Sequence, residues 1–279
     1  PDGTLFFTES RNSRVQSLSP VHVANNAKAI VVSAGGPFPG NQLWDTTQFC
    51  ANFAMRALAH QGFRNEEIYY LSSDMDLDLD NNGLADDVDA DVTNENIAFA
   101  LTEWAAGADS LVVYLVDHGG NNTFRMSQNE VLSATDLGGW LYIADEAISG
   151  SITVVYDACQ SGSFLDELEG PNRIVITSSN AEESAYFLST GTISFSNFFW
   201  THVFNGFNVA DAFTVASEAI GQSIGFQTPQ LRDPNNLAGT AFIGNGTEII
   251  GEAPVVIGAT TDQQINGVTS LDLFAEIDD

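Results

Sequence analysis

Apolar residues fall in short runs along this chain, and the spacing between the runs sets the elements it predicts. Residues 29–33 form an apolar strand that ends in Ala34-Gly35-Gly36-Pro37-Phe38-Pro39-Gly40, a loop by its glycine and proline content. From 45 to 60 apolar groups recur at helical spacing (Phe49, Phe53 and Leu58, with alanines between), and the pattern stops at Gly62, as a helix does. Residues 68–71 read as a second strand, 96–105 as a short helix and 111–116 as a third strand. A polar hairpin over 123–132 and a helix over 135–148 separate this from a fourth strand at 152–156. A short helix at 164–168 then leads to a fifth strand at 173–177. Residues 192–200 look like a strand-helix junction, 210–220 like a packing helix and 237–243 like a closing edge strand. Fully apolar strands alternating with helices predict an α/β fold, a three-layer sandwich whose mostly parallel central sheet is flanked by helices.

The two ends break this rhythm. Residues 1–27 carry a hairpin-like pattern similar to the tail of an NHL-type propeller blade, and are expected to be an N-terminal extension. Residues 250–279 alternate like the first strands of an immunoglobulin-like sandwich, so a truncated β-sandwich or C-terminal extension is expected there. The main domain is therefore 28–249, with further domains of the same chain around it. The chain starts at Pro1 without a basic, apolar leader, which reads as a mature or excised piece.

At 279 residues and 44% hydrophobic, the chain can bury a full core. Its formal charge of −29, from 8 Lys and Arg against 37 Asp and Glu, repels nucleic acid and anionic membranes. Such acidity suits a secreted, extracellular or cell-surface setting. No apolar run is long enough to span a bilayer. Only Cys50 and Cys159 are present, so no disulfide framework is expected, and four dispersed histidines leave no zinc-ligand spacing.

The chemistry sits at two strand ends. The third strand runs into Asp117-His118-Gly119-Gly120 and the fourth into Asp157-Ala158-Cys159-Gln160-Ser161-Gly162-Ser163. Parallel sheets place their sites at carboxyl strand ends, so an imidazole and a thiol are expected side by side there. His118 would act as base and then as acid. The turn after Cys159 offers backbone N–H groups to an oxyanion, and Gly119 and Gly120 allow a second close approach. Taken singly, each residue has a plainer reading, a buried thiol or a hydrogen-bonded surface histidine.

These paired motifs resemble the signatures of clan CD cysteine peptidases, the caspase-hemoglobinase fold, and most of all the bacterial-type legumain family. The likeness extends over roughly 28–245 and includes Thr177-Ser178-Ser179-Asn180 and Gln227-Thr228-Pro229-Gln230. It implies a caspase-like cysteine peptidase acting on protein or peptide substrates, with His118 and Cys159 as the dyad and the backbone of Gly119 and Cys159 as oxyanion donors. It also implies that Asp157 lines the pocket for the residue before the scissile bond. Legumains present an Arg-His pair in the loop after the first strand, where this chain has Trp44-Asp45, and a later acidic pocket residue is replaced around Ser194. Asp157 beside Asp45 then favours cleavage after Arg or Lys. The alternatives are an Asn-specific legumain-like protease or a transpeptidase, and for Asp45 a plain helix N-cap.

Residues 78–89 add a second motif. Asp78, Asp80, Asn82, Asp86 and Asp89 fall at positions one, three, five, nine and twelve of an EF-hand loop, with Gly83 at six and the Leu84 carbonyl at seven. The loop resembles the calcium loops of dockerins and thrombospondin-type repeats, and a structural Ca2+ is expected, the plain reading being a solvated acidic loop. A calcium-binding adhesion or scaffold module without catalysis is the competing function.

Overall fold

The computed structural model describes residues 5–9, 14–18, 26–79 and 82–248. Strands β1 (Leu5–Glu9) and β2 (Arg14–Leu18) pair antiparallel, as the hairpin pattern predicts. Residues 250–279, where sandwich strands were expected, lie outside the described residues.

A six-stranded sheet organises the rest. It comprises β3 (Ala27–Ser33), β4 (Ile68–Ser72), β5 (Ser110–Val116), β9 (Ile152–Asp157), β10 (Arg173–Thr177) and β11 (Gln230–Arg232) in the order β11-β10-β9-β5-β3-β4. All neighbours run parallel except the β10–β11 pair. A small antiparallel sheet follows β5, made of β6 (Gly119–Gly120), β7 (Thr123–Arg125) and β8 (Val131–Ser133). Helices α1 (Trp44–His60), α5 (Phe195–Phe204) and α6 (Val209–Ser223) cover one face. The other carries α2 (Asn94–Phe99) with its π-helical continuation Ala100–Trp104, α3 (Ala134–Ala147) and α4 (Leu165–Leu168).

The strands show why both faces are apolar. Ala29, Val31, Val112, Tyr114 and Val155 face the α1 side, while Ile30, Val32, Leu111, Val113 and Val154 face the α3 side. Period two sends alternate side chains to opposite cores, and with helices on both sides every position must be apolar.

Several details depart from the sequence pattern. The 237–243 segment forms no strand. Its Ala238 and Ala241 carbonyls accept the Ala210 and Val209 amides at the start of α6, and the edge beside β10 is taken by β11. Helix N-terminal amides without intrahelical acceptors need such partners, and capping α6 outcompetes a ladder. On α1, Phe49 is 40% exposed, and the packed stripe is instead Cys50, Ala51, Ala54, Ala57 and Leu58. Small residues let this helix lie close to the sheet. The predicted junction at 192–200 is helix α5 with Ser194 as N-cap, its hydroxyl accepting the Asn197 amide at 3.1 Å.

Chain order reverses between β3 and β5, since β3 continues to β4 on one side and the later strands extend on the other. The loops after β3 and β5 therefore part and leave a crevice at the carboxyl ends, where α/β sheets bind ligands.

Candidate active site

Strands β5 and β9 are direct neighbours with Val116 opposite Asp157, and the Asp117 amide still reaches the Asp157 carbonyl at 3.4 Å. His118 and Cys159 thus leave the sheet at one edge, both half-buried. A Cβ on Gly119 would lie 2.4 Å from the Cys159 carbonyl oxygen and 2.8 Å from the Ala158 methyl group. Only glycine lets the two strand ends touch.

His118 Nε2 lies 3.1 Å from Asn41 Oδ1, across the crevice in the loop after β3. The Asn41 amide orientation follows from its other bonds, since Nδ2 donates to the Gly36 carbonyl at 2.9 Å and Oδ1 accepts the Leu43 amide at 3.1 Å. Oδ1 is an acceptor, so Nε2 carries the hydrogen and Nδ1 is left as the proton acceptor. Burial, and then the Arg125 charge, lower the His118 pKa and favour this neutral base.

After Cys159 the chain turns through Gln160 at φ 56°, a left-handed conformation that costs a non-glycine residue about 1 kcal/mol. The Gln160 amide is held by the Glu183 carbonyl at 2.7 Å, and the Cys159 thiol donates to the Ala185 carbonyl at 3.7 Å. Next to His118 in sequence, Asp117 is 1% exposed. Its carboxylate accepts the His118 amide and the Thr47 hydroxyl, and burial pushes its pKa up to about 7 against the pull of these bonds.

The residues expected to form the specificity pocket separate. Asp157 is buried. Its Oδ2 accepts the Ser196 amide and hydroxyl at 2.9 and 2.6 Å, while Oδ1 has no partner of hydrogen-bond geometry although the Ser178 hydroxyl lies near enough to oppose the burial-driven rise in pKa. Ser194 is buried as the α5 N-cap, with its hydroxyl donating to Gly191 O. Trp44 is buried at the start of α1, whereas Asp45 in the same first turn is exposed. Asp45 is not the N-cap, which is Leu43; its carboxylate complements the helix dipole.

A model of the Peptidase C13 family matches residues 104–216, a span that holds His118 and Cys159. No curated protein matches the chain. Among solved structures, caspase-1 from Spodoptera frugiperda superimposes with a TM-score of 0.53 at 12% identity, covering 81% of this chain and 92% of that one. This chain is a cysteine peptidase with a caspase-like fold. The reading as a non-catalytic scaffold falls away.

In this peptidase the acidic loop divides. Asp78 accepts the Asn82 and Gly83 amides, each at 3.0 Å, and Gly83 has φ 86°, so the first half makes the tight turn the motif requires at its sixth position. Asn82 donates to Asp86 at 3.3 Å, and the Leu84 amide donates to Asn82. Asp89, expected to close the loop, instead accepts the Tyr70 amide of β4 at 2.7 Å. A strand-edge amide thus competes for one oxygen of that carboxylate. Asp80 lies outside the described residues. Among the described residues no three acidic, histidine or cysteine side chains converge on one point.

Sequence reasoning missed Asn41 and Arg125, and named Asp117 only as part of the strand-end motif. Asn41 stands 77 positions from His118, and no local pattern connects them; the glycine-rich loop before it was the one available signal.

Proposed function

We propose that the chain is an endopeptidase that uses His118 and Cys159 through a thioester acyl-enzyme. The supporting observation is the His118 ring fixed by Asn41 on the strand end next to Cys159. His118 Nδ1 takes the thiol proton, the thiolate sulfur attacks the carbonyl carbon, and the same proton passes to the leaving amine as the C–N bond breaks. Water then attacks the thioester and releases the acid. The Cys159 amide has no hydrogen-bond acceptor among the described residues and is available to the oxyanion, with Gly119 as the second donor.

The preferred cleavage position is after Arg or Lys. The buried Asp157 Oδ1, with only the Ser178 hydroxyl nearby, suits a cationic donor. An Asn side chain also brings N–H donors, which keeps a legumain-like asparaginyl specificity as the second reading, and an amine in place of water would give transpeptidation. Two supporting features go with this reading: an extracellular setting, consistent with the acidity, and a structural Ca2+ on Asp78, Asn82, Asp86 and the Leu84 carbonyl, consistent with the turn at Gly83.

The test is a matched set of fluorogenic peptides ending in Arg, Lys or Asn, with iodoacetamide labelling in parallel. Turnover and fast labelling at Cys159, both lost in His118→Ala, are expected. Labelling no faster than a free thiol at the same pH, together with no turnover, overturns the reading.

A further inference from the structure

Beside His118 lies a cleft of about 380 Å³, within the roughly 300–1,000 Å³ range of ligand sites. It is lined by Phe38 and Gly40 from the loop after β3, by His118, and by Thr123, Arg125 and Val131 of the small sheet. Cys159 and Asp157 do not line it. Resting on the proposed mechanism, this is the leaving-group side: the amine expelled on acylation takes its proton from His118, so the chain that departs lies over His118.

Arg125 is the cation of this cleft. Arg64, Arg173 and Arg232 pair with carboxylates, whereas Arg125, like Lys28 and Arg56, has no ion pair among the described residues, although its charge reaches the buried Asp117 carboxylate. Its guanidinium stacks 5.9 Å over the Phe38 ring, and one N–H reaches the Gln128 carbonyl at 3.4 Å. A guanidinium carries five donors in a fork that matches a carboxylate. Held by the ring and half-buried, it is ordered in advance and only partly screened. Its charge also reaches His118, whose pKa it helps lower.

We propose that Arg125 selects a carboxylate in the first two residues after the scissile bond. That carboxylate has two sources, an Asp or Glu side chain or the terminal carboxylate of a short leaving peptide.

The experiment uses internally quenched peptides with one common acyl side and an amidated end, carrying Glu or Gln at the first or second position after the bond. A Gln peptide with a free carboxyl end forms a further arm, and an aminocoumarin amide, which has no residue after the bond, reports acylation alone. In the wild type, kcat/KM is expected to favour Glu over Gln roughly tenfold, with the ratio shrinking as salt rises. Arg125→Gln should bring the ratio to about one, and Arg125→Glu should lower it below one. Preference for the free carboxyl end alone supports the site and names the terminus as its source. Turnover of the aminocoumarin amide with equal rates on the Glu, Gln and free-carboxyl peptides overturns this inference but not the peptidase. Turnover of no substrate overturns the peptidase itself. Because the wild-type ratio is decisive alone, a variant that fails to fold does not rescue the idea.

Discussion

Asn41 decides which nitrogen of His118 carries the proton, and it does so through one bond backed by two others. Replacing it with alanine frees the ring to rotate and to populate the wrong tautomer. General base catalysis contributes about 10²–10⁴-fold, so Asn41→Ala is expected to lower kcat by about tenfold or more with KM little changed. Because burial and Arg125 hold the His118 pKa below 6.5, the acid limb of the kcat/KM profile should lie below that value, and Arg125→Gln should move it upward. Asp117 affects stability instead. Its pKa rises from 3.8 to about 7 on folding, so between those values the folded chain holds a proton the unfolded chain has lost. Stability from this group is full below about pH 4 and is lost as pH rises toward 7, by up to about 1.4 kcal/mol per pH unit. Urea denaturation of Asp117→Asn at pH 5 and pH 7.5 should show a smaller difference between the two pH values than the wild type does; equal differences would remove Asp117 as the cause.

At the scale of elements, the junction of β5 and β9 depends on Gly119. Adding a methyl group there places it 2.4 Å from a backbone oxygen that cannot swing away. Gly119→Ala is expected to cost about 1–3 kcal/mol and to push the His118 and Cys159 strand ends apart. Thermal melts report the first effect and iodoacetamide labelling rates the second; an unchanged rate would show that the contact is not critical. The loop over 78–89 offers another check. If it loads Ca2+ only when folded, millimolar calcium should raise the melting temperature, and Asp78→Ala should abolish the rise. These two elements also mark what the sequence makes legible. Strands buried on both faces are continuous apolar runs, so the five parallel strands were readable, as was the placement of His118 and Cys159 at the ends of two of them. The edge strand was misplaced because 237–243 is apolar for a different reason, Ala238 and Ile243 packing into the core on the α1 side, while the true edge carries Gln230 and Arg232. The environments of Trp44 and Asp45 were not legible, because residues adjacent in sequence meet opposite surroundings once the helix forms, Trp44 buried and Asp45 exposed.

Over the whole molecule, the charge of −29 surrounds a cleft whose own cation is Arg125. A field of that sign raises the encounter rate of cationic substrates and slows acidic ones, whatever the local contacts. The two proposed preferences therefore differ in how they respond to salt. Recognition of Arg or Lys through Asp157 is helped by the global field, so kcat/KM for an Arg peptide should fall as salt rises from about 0.01 to 0.15 M, where the screening length shortens from about 30 to 8 Å. An Asn peptide should change far less over the same range. A Glu after the scissile bond feels the opposite field on approach and the Arg125 attraction on arrival, so salt should speed its association while weakening its hold. Its rate should then vary less steeply than the Arg term alone predicts. Stopped-flow acylation at three salt concentrations, with Arg and Asn compared on one leaving group, separates steering from contact. Parallel slopes for the two peptides would mean that the field plays no part in choosing the substrate and that Asp157 must be tested by its contacts alone.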